Sequence, residues 1–372
     1  MKQQICVESL FNGVEIITYQ KLTIEQGVIQ SITPFDSTAE KYLPGTLAAG
    51  FIDIQVNGGG GVLFNDATDI SGITTIGEAH NLFGTTSWFP TLITDHINKM
   101  HRAADAVSDA LKNNTTGVAG IHFEGPHIST LKNGVHEQSH IRPLSESEFS
   151  LYTREDIGQV IVTLDADRVS DRDIHRLSEQ GVIVCQGHSN ASYARASSAL
   201  AAGARGFTHL FNAMSQLNSR EPGMVGAALN HPESFYGIIL DGIHVHEAAA
   251  KIAYEANPHL LLVTDAMPPV GSNQTEFHFF GEDIRVNNNR LINAEGRLAG
   301  SLLNMNQAVM NCSQWLNLSV EKSLNLSSLQ VAKFINKVTE LGTITPGKKA
   351  NLVLLDDQLQ VQRCWIEGRK IR

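Results

Sequence analysis

Six stretches of this 372-residue chain end an apolar, strand-like run with side chains able to do chemistry. They are Asp53-Ile-Gln-Val-Asn57, His122-Phe-Glu-Gly-Pro-His127, Gly187-His-Ser-Asn190, Thr208-His-Leu-Phe-Asn212, Asp241-Gly-Ile-His-Val-His246 and Thr264-Asp-Ala266. Glu124, His188 and His209 offer one carboxylate and two imidazoles, a donor set suited to zinc with a coordination position left open. Such a site polarises a carbonyl and acidifies water. Taken singly, each reads better as a hydrogen-bonded core or loop residue than as a ligand. Their joint occurrence at three strand ends favours a metal. Asp265 follows Leu-Leu-Leu-Val-Thr and faces the same place, where a carboxylate can move a proton. Helix capping is the weaker reading for it, because Ala266-Met-Pro-Pro is a poor helix start.

Two features suit an anion. Arg220, in Arg220-Glu-Pro-Gly-Met, can grip a phosphate with both arms of its guanidinium, although a solvated surface arginine has the same composition. Asn212 and Ala213 lie just past His209, where backbone amides can face the same group.

Positioning these residues requires parallel strands that end on one side. Between residues 46 and 340, apolar runs alternate with amphipathic stretches. The runs are Leu47–Val56, Ser87–Ile93, Gly117–Phe123, Gln159–Leu164, Val182–Gln186, Gly206–Leu210, Gly237–Leu240 and Leu260–Val263. Helical periodicity fills Asp95–Lys112, Asp171–Gln180 and Ala191–Ala202. Continuously apolar strands need cover on both faces, so eight such units predict an α/β fold with a (β/α)8 TIM-like barrel. A doubly wound sheet is the competing architecture; the absence of G-x-G-x-x-G weakens its dinucleotide-binding form. Both termini instead alternate with period two, in Val14-Glu-Ile-Ile-Thr, Lys21-Leu-Thr-Ile, Val28-Ile-Gln-Ser-Ile, Asn351-Leu-Val-Leu-Leu and Val361-Gln-Arg-Cys-Trp-Ile. They predict a small β-sandwich domain from residues 1–45 and 341–372.

The formal charge of −10 and the lack of a lysine or arginine run argue against nucleic acid as a partner. Cys6, Cys185, Cys312 and Cys364 have neither zinc-knuckle nor disulfide spacing. No apolar run approaches a membrane span and the N-terminus carries no leader signature, so a soluble cytoplasmic protein is expected.

The motifs above resemble the N-acetylglucosamine-6-phosphate deacetylase branch of the amidohydrolase superfamily over nearly the whole chain. The likeness extends to Gly50-Phe-Ile-Asp-Ile-Gln-Val-Asn-Gly, Leu298-Ala-Gly-Ser and Gly342-Thr-Ile-Thr-Pro-Gly-Lys-Lys-Ala-Asn-Leu-Val. The resemblance implies deacetylation of N-acetylglucosamine 6-phosphate, with N-acetylgalactosamine 6-phosphate as the alternative. It implies metal ligation by Glu124, His188 and His209, acid/base work by Asp265, and carbonyl polarisation by His244. It also implies substrate contacts at His136, Asn212, Ala213, Arg220, Leu298, Ala299 and Gly300. Arg220 is expected to reach a neighbouring subunit's site in a homodimer or homotetramer. Where many amidohydrolases carry H-x-H, Gln55 and Asn57 stand here, so one divalent ion per subunit is expected, zinc first, with iron or cobalt also suited. Asp165 and Asp167, where the family pattern has Ala-Pro-Glu, are a departure with no account at this level.

Overall fold

The computed structural model describes residues 2–113, 115 and 117–372. Eight parallel strands run in sequence order around a sheet: Phe51–Val56, Thr85–Ile93, Gly120–Glu124, Gln159–Leu164, Ile183–Gln186, Gly206–Phe207, Phe235–Ile238 and Leu260–Leu262. The last meets the first through a parallel bridge between Val56 and Ala266 and a hydrogen bond from the Asp265 N–H to the Gln55 carbonyl, 3.0 Å. These contacts close the barrel at Asp265 and Ala266. Asp265 N is therefore both a structural donor and part of the site's framework.

The expected helices form at Ile97–Lys112, Asp171–Glu179 and Tyr193–Ala201. The last two are started by Ser170 and Ser192, whose hydroxyls accept from the backbone N–H of Asp173 and Arg195. Apolar side chains between helices and strands make one large core that includes Trp88, Phe123, Phe207, Tyr236 and Leu261. Inside the barrel the fill is partly polar: Asp53, Gln55, His122, Thr163, Thr208 and Thr264 are all buried. Their partners are side chains and backbone alike: Asp53 accepts from the Thr264 hydroxyl and the Gln55 N–H, and His122 donates to the Ile54 carbonyl.

The run Leu47–Val56 is not one strand. It divides at Gly50, with Leu43–Ala49 pairing in the terminal sheet and Phe51–Val56 starting the barrel. A side chain at Gly50 would collide with that of Thr86, so only glycine lets the chain pass between the two sheets. The termini supply a single seven-stranded sheet, ordered Arg369–Lys370, Val361–Ile366, Leu352–Leu355, Leu43–Ala49, Lys2–Phe11, Ile16–Glu25 and Val28–Pro34. Its own apolar cluster contains Val7, Leu10, Leu22, Ile29, Leu47, Leu354 and Trp365. The short runs at Val14–Thr18 and Lys21–Ile24 are one strand, because Ile16–Glu25 pairs with a neighbour on each side.

One element has no counterpart in the sequence reading. After the last barrel strand, Glu276–Phe279, Glu282–Asn287 and Arg290–Ile292 form an antiparallel three-stranded insertion. Its Phe277, Phe279, Ile284 and Leu291 bury against Leu63, Ile93, Met267 and Ala299. Among the described residues, no helix is long and apolar enough to cross a membrane.

Trp88 is fully buried on the second barrel strand against the backbone of Gly77. Trp88→Ala is expected to cost about 3–5 kcal/mol through lost burial and a residual cavity, read as a lowered midpoint in thermal denaturation.

Candidate metal centre

Three strand ends carry their side chains to one point. Glu124 Oε1 lies 3.2 Å from His188 Nε2 and 3.0 Å from His209 Nε2, and the two imidazole nitrogens are 2.9 Å apart. The three are buried, and their donor atoms cluster within 4.8 Å of one another. His188 Nδ1 donates to the Lys132 carbonyl at 2.8 Å, so in the neutral ring it is Nε2 that presents a lone pair toward Glu124. Lone pair against carboxylate is repulsive unless a positive charge sits between them. The donor set therefore fits a cation. The same demand appears in the protonation preferences. Burial disfavours charging His209, but Glu124 outweighs it and raises its affinity for a proton. Burial would lift the Glu124 carboxyl, yet the two imidazoles hold it well below its ordinary range.

The backbone is strained where these residues sit. His188, His209 and Asp265 have φ of 47°, 35° and 52°, a region that side-chain-bearing residues rarely occupy. Strand pairing and closure of the barrel hold them there, aiming their side chains across the mouth.

Asp265 Oδ1 accepts from Gln55 Nε2 at 3.1 Å and from Asn57 Nδ2 at 2.6 Å. Gln55 Nε2 also donates to Glu124 Oε1, at 3.1 Å. Burial, and then the nearby charge of Glu124, push the Asp265 carboxyl up to about 6, with His209, His244 and the Asn57 amide pulling the other way. His244 Nδ1 donates to Asp241 Oδ2 at 2.7 Å, and Asp241 Oδ1 accepts the N–H groups of Ile243 and His244. His136 Nδ1 is 2.8 Å from the Thr94 hydroxyl, and its ring centre is 4.3 Å from that of His188.

These groups line a cavity of about 200 Å³ at the barrel mouth. Glu124, His136, His188, His209, Asn212, Ala213, His244, Asp265, Leu298 and Gly300 all contribute to its wall. Ala299 does not; it is buried in the apolar cluster under the insertion, because Leu291 accepts its N–H and turns its side chain inward. Arg220 is exposed on its loop and absent from the lining, which contains no lysine or arginine. The N–H of Asn212 is taken by the His209 carbonyl, so among the described residues the Ala213 N–H is the free one of that pair.

Sequence reasoning passed over Thr94, which fixes His136, and Ile93, Val135, Ile239 and Met267, which give the cavity apolar walls. Apolar residues at strand ends carry no signal that separates lining from core. Asp165 now has a role: its Oδ1 accepts from the Ser189 hydroxyl at 2.5 Å and from the Asp167 N–H, bracing the loop behind His188. His122 does not point outward. Its Nδ1 donates to the Ile54 carbonyl and its Nε2 contacts the Thr163 hydroxyl, which touches that of Thr208, across the barrel interior.

A (β/α)8 barrel with a buried Glu-His-His cluster at the C-terminal mouth and a carboxylate facing it defines a metal-dependent enzyme. A family model described as the amidohydrolase family matches residues 46–371. Relatives include an N-acetylgalactosamine-6-phosphate deacetylase of Shewanella sp. (strain ANA-3), 44% identical over 96% of this chain and 94% of that one. An N-acetylglucosamine-6-phosphate deacetylase of Bos taurus is 35% identical over 87% and 83%. The crystal structure of N-acetylglucosamine-6-phosphate deacetylase from Pasteurella multocida superposes with a TM-score of 0.94 at 31% identity, covering 100% of this chain and 99% of that chain. The chain thus belongs to the amidohydrolase family, and its relatives there are deacetylases of amino-sugar 6-phosphates.

Asp53, beneath the site, is fully buried, and burial pushes its carboxyl up from 3.8 to about 7 despite the Thr264 hydroxyl at 2.6 Å. The folded state then holds a proton that the unfolded chain has lost, so this residue's contribution falls as pH rises from about 4 to about 7. Comparing urea denaturation of wild type and Asp53→Asn at pH 5 and 8 is expected to show wild type losing stability relative to the variant at the higher pH.

Proposed function

We propose that this enzyme hydrolyses the acetamide of an N-acetylated hexosamine 6-phosphate, giving acetate and the amino-sugar 6-phosphate. The observation that carries this reading is the convergence of Glu124, His188, His209 and Asp265 on one cavity, in a chain whose relatives bear that activity. The expectation from the sequence put the gluco epimer first. The 44% identity with the Shewanella enzyme, against 35% with the bovine one, moves the preference to N-acetylgalactosamine 6-phosphate. The gluco sugar is the second reading, supported by the solved relative.

Glu124, His188 and His209 would hold one divalent ion, for which we propose zinc, with iron or cobalt compatible with the same donors. Bound there, it supplies Lewis-acid polarisation of the acetyl carbonyl and makes water a better nucleophile. Asp265 takes a proton from the attacking water as the new C–O bond forms, and its upward-shifted carboxyl suits an acid/base shuttle. His244, anchored by Asp241, donates a hydrogen bond to the carbonyl oxygen as charge grows on it. Asp265 then returns the proton to nitrogen as the C–N bond breaks, since an amide nitrogen leaves poorly until protonated.

The substrate's phosphate needs a cation that the cavity wall does not supply. Ala213 N–H offers one donor, and we assign the charge to Arg220 of a second copy in a homodimer or homotetramer.

Three outcomes are expected. Asp265→Asn keeps bound metal but loses kcat by several orders of magnitude, measured as acetate release. Near-normal turnover would remove Asp265 as the base. Dialysis against a chelator abolishes acetate release and lowers the thermal midpoint, and one equivalent of zinc restores both. Finally, kcat/KM for the two epimeric sugar phosphates is expected to favour the galacto sugar, and inactivity on both would end this reading.

A further inference from the structure

Gln55 and Asn57 stand at the end of the first barrel strand, and their contacts show what they do there. Gln55 Nε2 spends one hydrogen on Glu124 Oε1 and the other on Asp265 Oδ1, each at 3.1 Å. Asn57 Nδ2 donates to the same Oδ1 at 2.6 Å. The orientation of both amides is fixed by chemistry, because a carboxylate oxygen accepts only from a donor and the opposite flip would set oxygen against oxygen. Oδ1 thus receives two N–H groups. The other oxygen differs: Oδ2 has no protein partner among the described residues and is not sealed from solvent, while Asp265 itself lines the cavity. The two carboxylate oxygens have been made unequal.

We propose that Gln55 and Asn57 are positioning residues for proton transfer: their amides pin Oδ1 of Asp265, leaving Oδ2 as the oxygen that carries the proton from water to the leaving nitrogen. The amide NH2 of Gln55 does between two buried carboxylates what a bridging cation would do, cross-linking Glu124 to Asp265 at a fixed separation. Both donors sit two residues apart on Phe51–Val56 and its end, so their side chains share one face of the strand. The inference rests on the deacetylase reading above, and concerns only how Asp265 is aimed.

The test is a double-mutant cycle. Gln55→Leu and Asn57→Leu, similar in size and unable to donate, are each expected to lower kcat about 10- to 100-fold with KM changed less than about threefold. Bound metal by elemental analysis and the thermal midpoint stay near wild type. Combined with Asp265→Asn, either change is expected to add little, because the group it aims is gone. Asn57→Ser, which keeps a hydroxyl donor, is expected to recover part of the rate. Full additivity with Asp265→Asn, or loss of metal from both leucine variants, would overturn the proposal in favour of a role in the scaffold or in ligand support. Should the leucine variants not fold, Asn57→Ala and Gln55→Met, which also lack a donor, run the same cycle with the same outcomes. Inactivity of the wild-type enzyme would instead sink the activity reading.

Discussion

The structure is organised around a local surplus of negative charge and lone pairs in a place with little water. Glu124 is buried with two imidazole nitrogens aimed at it, and the acceptor behind His188 makes Nε2 the lone-pair nitrogen of the neutral ring. Such a set is unstable alone and stable around a cation. Nearly every polar feature of the barrel mouth follows from managing that charge. Gln55 and Asn57 supply neutral donors to the carboxylates, Asp241 anchors His244, and the Lys132 carbonyl orients His188.

The framework that holds this arrangement is stiff because it is redundant. Each ligand stands at the end of a strand paired on both sides, and each carries a left-handed or glycine-flanked backbone that an isolated peptide would abandon. The barrel closes through the Asp265 N–H, so this residue cannot drift without opening the sheet. Beneath, a second polar layer of His122, Thr163 and Thr208 bonds internally and leaves the upper layer to the chemistry. Burial keeps the His122 imidazole neutral, pushing it down to about 4.

Above the mouth, the three-stranded insertion buries Phe277, Phe279 and Leu291 against Met267 and Ile93, two residues that also wall the cavity. Apolar packing outside the barrel thereby reaches the wall of the cavity within. The terminal sheet lies apart from this chemistry and shares a chain passage with it at Gly50.

Much of this was legible in the chain because strand-ending motifs are local. Eight apolar runs, the polar residues closing six of them, and the donor types at Glu124, His188, His209 and Asp265 are properties of short segments, and alternation marked the termini as sheet. Other features were decided only by folding. The turn that lets Leu47–Val56 serve two sheets depends on a collision with Thr86, more than thirty residues away in the chain. Inward burial of Ala299, the support of His136 by Thr94 and of Ser189 by Asp165, and the two donors on one oxygen of Asp265 are pairings across the barrel. Sequence settles which groups are present and where strands stop, since those depend on neighbours along the chain. Which atom of each group meets which depends on barrel closure, a long-range event that no local pattern records.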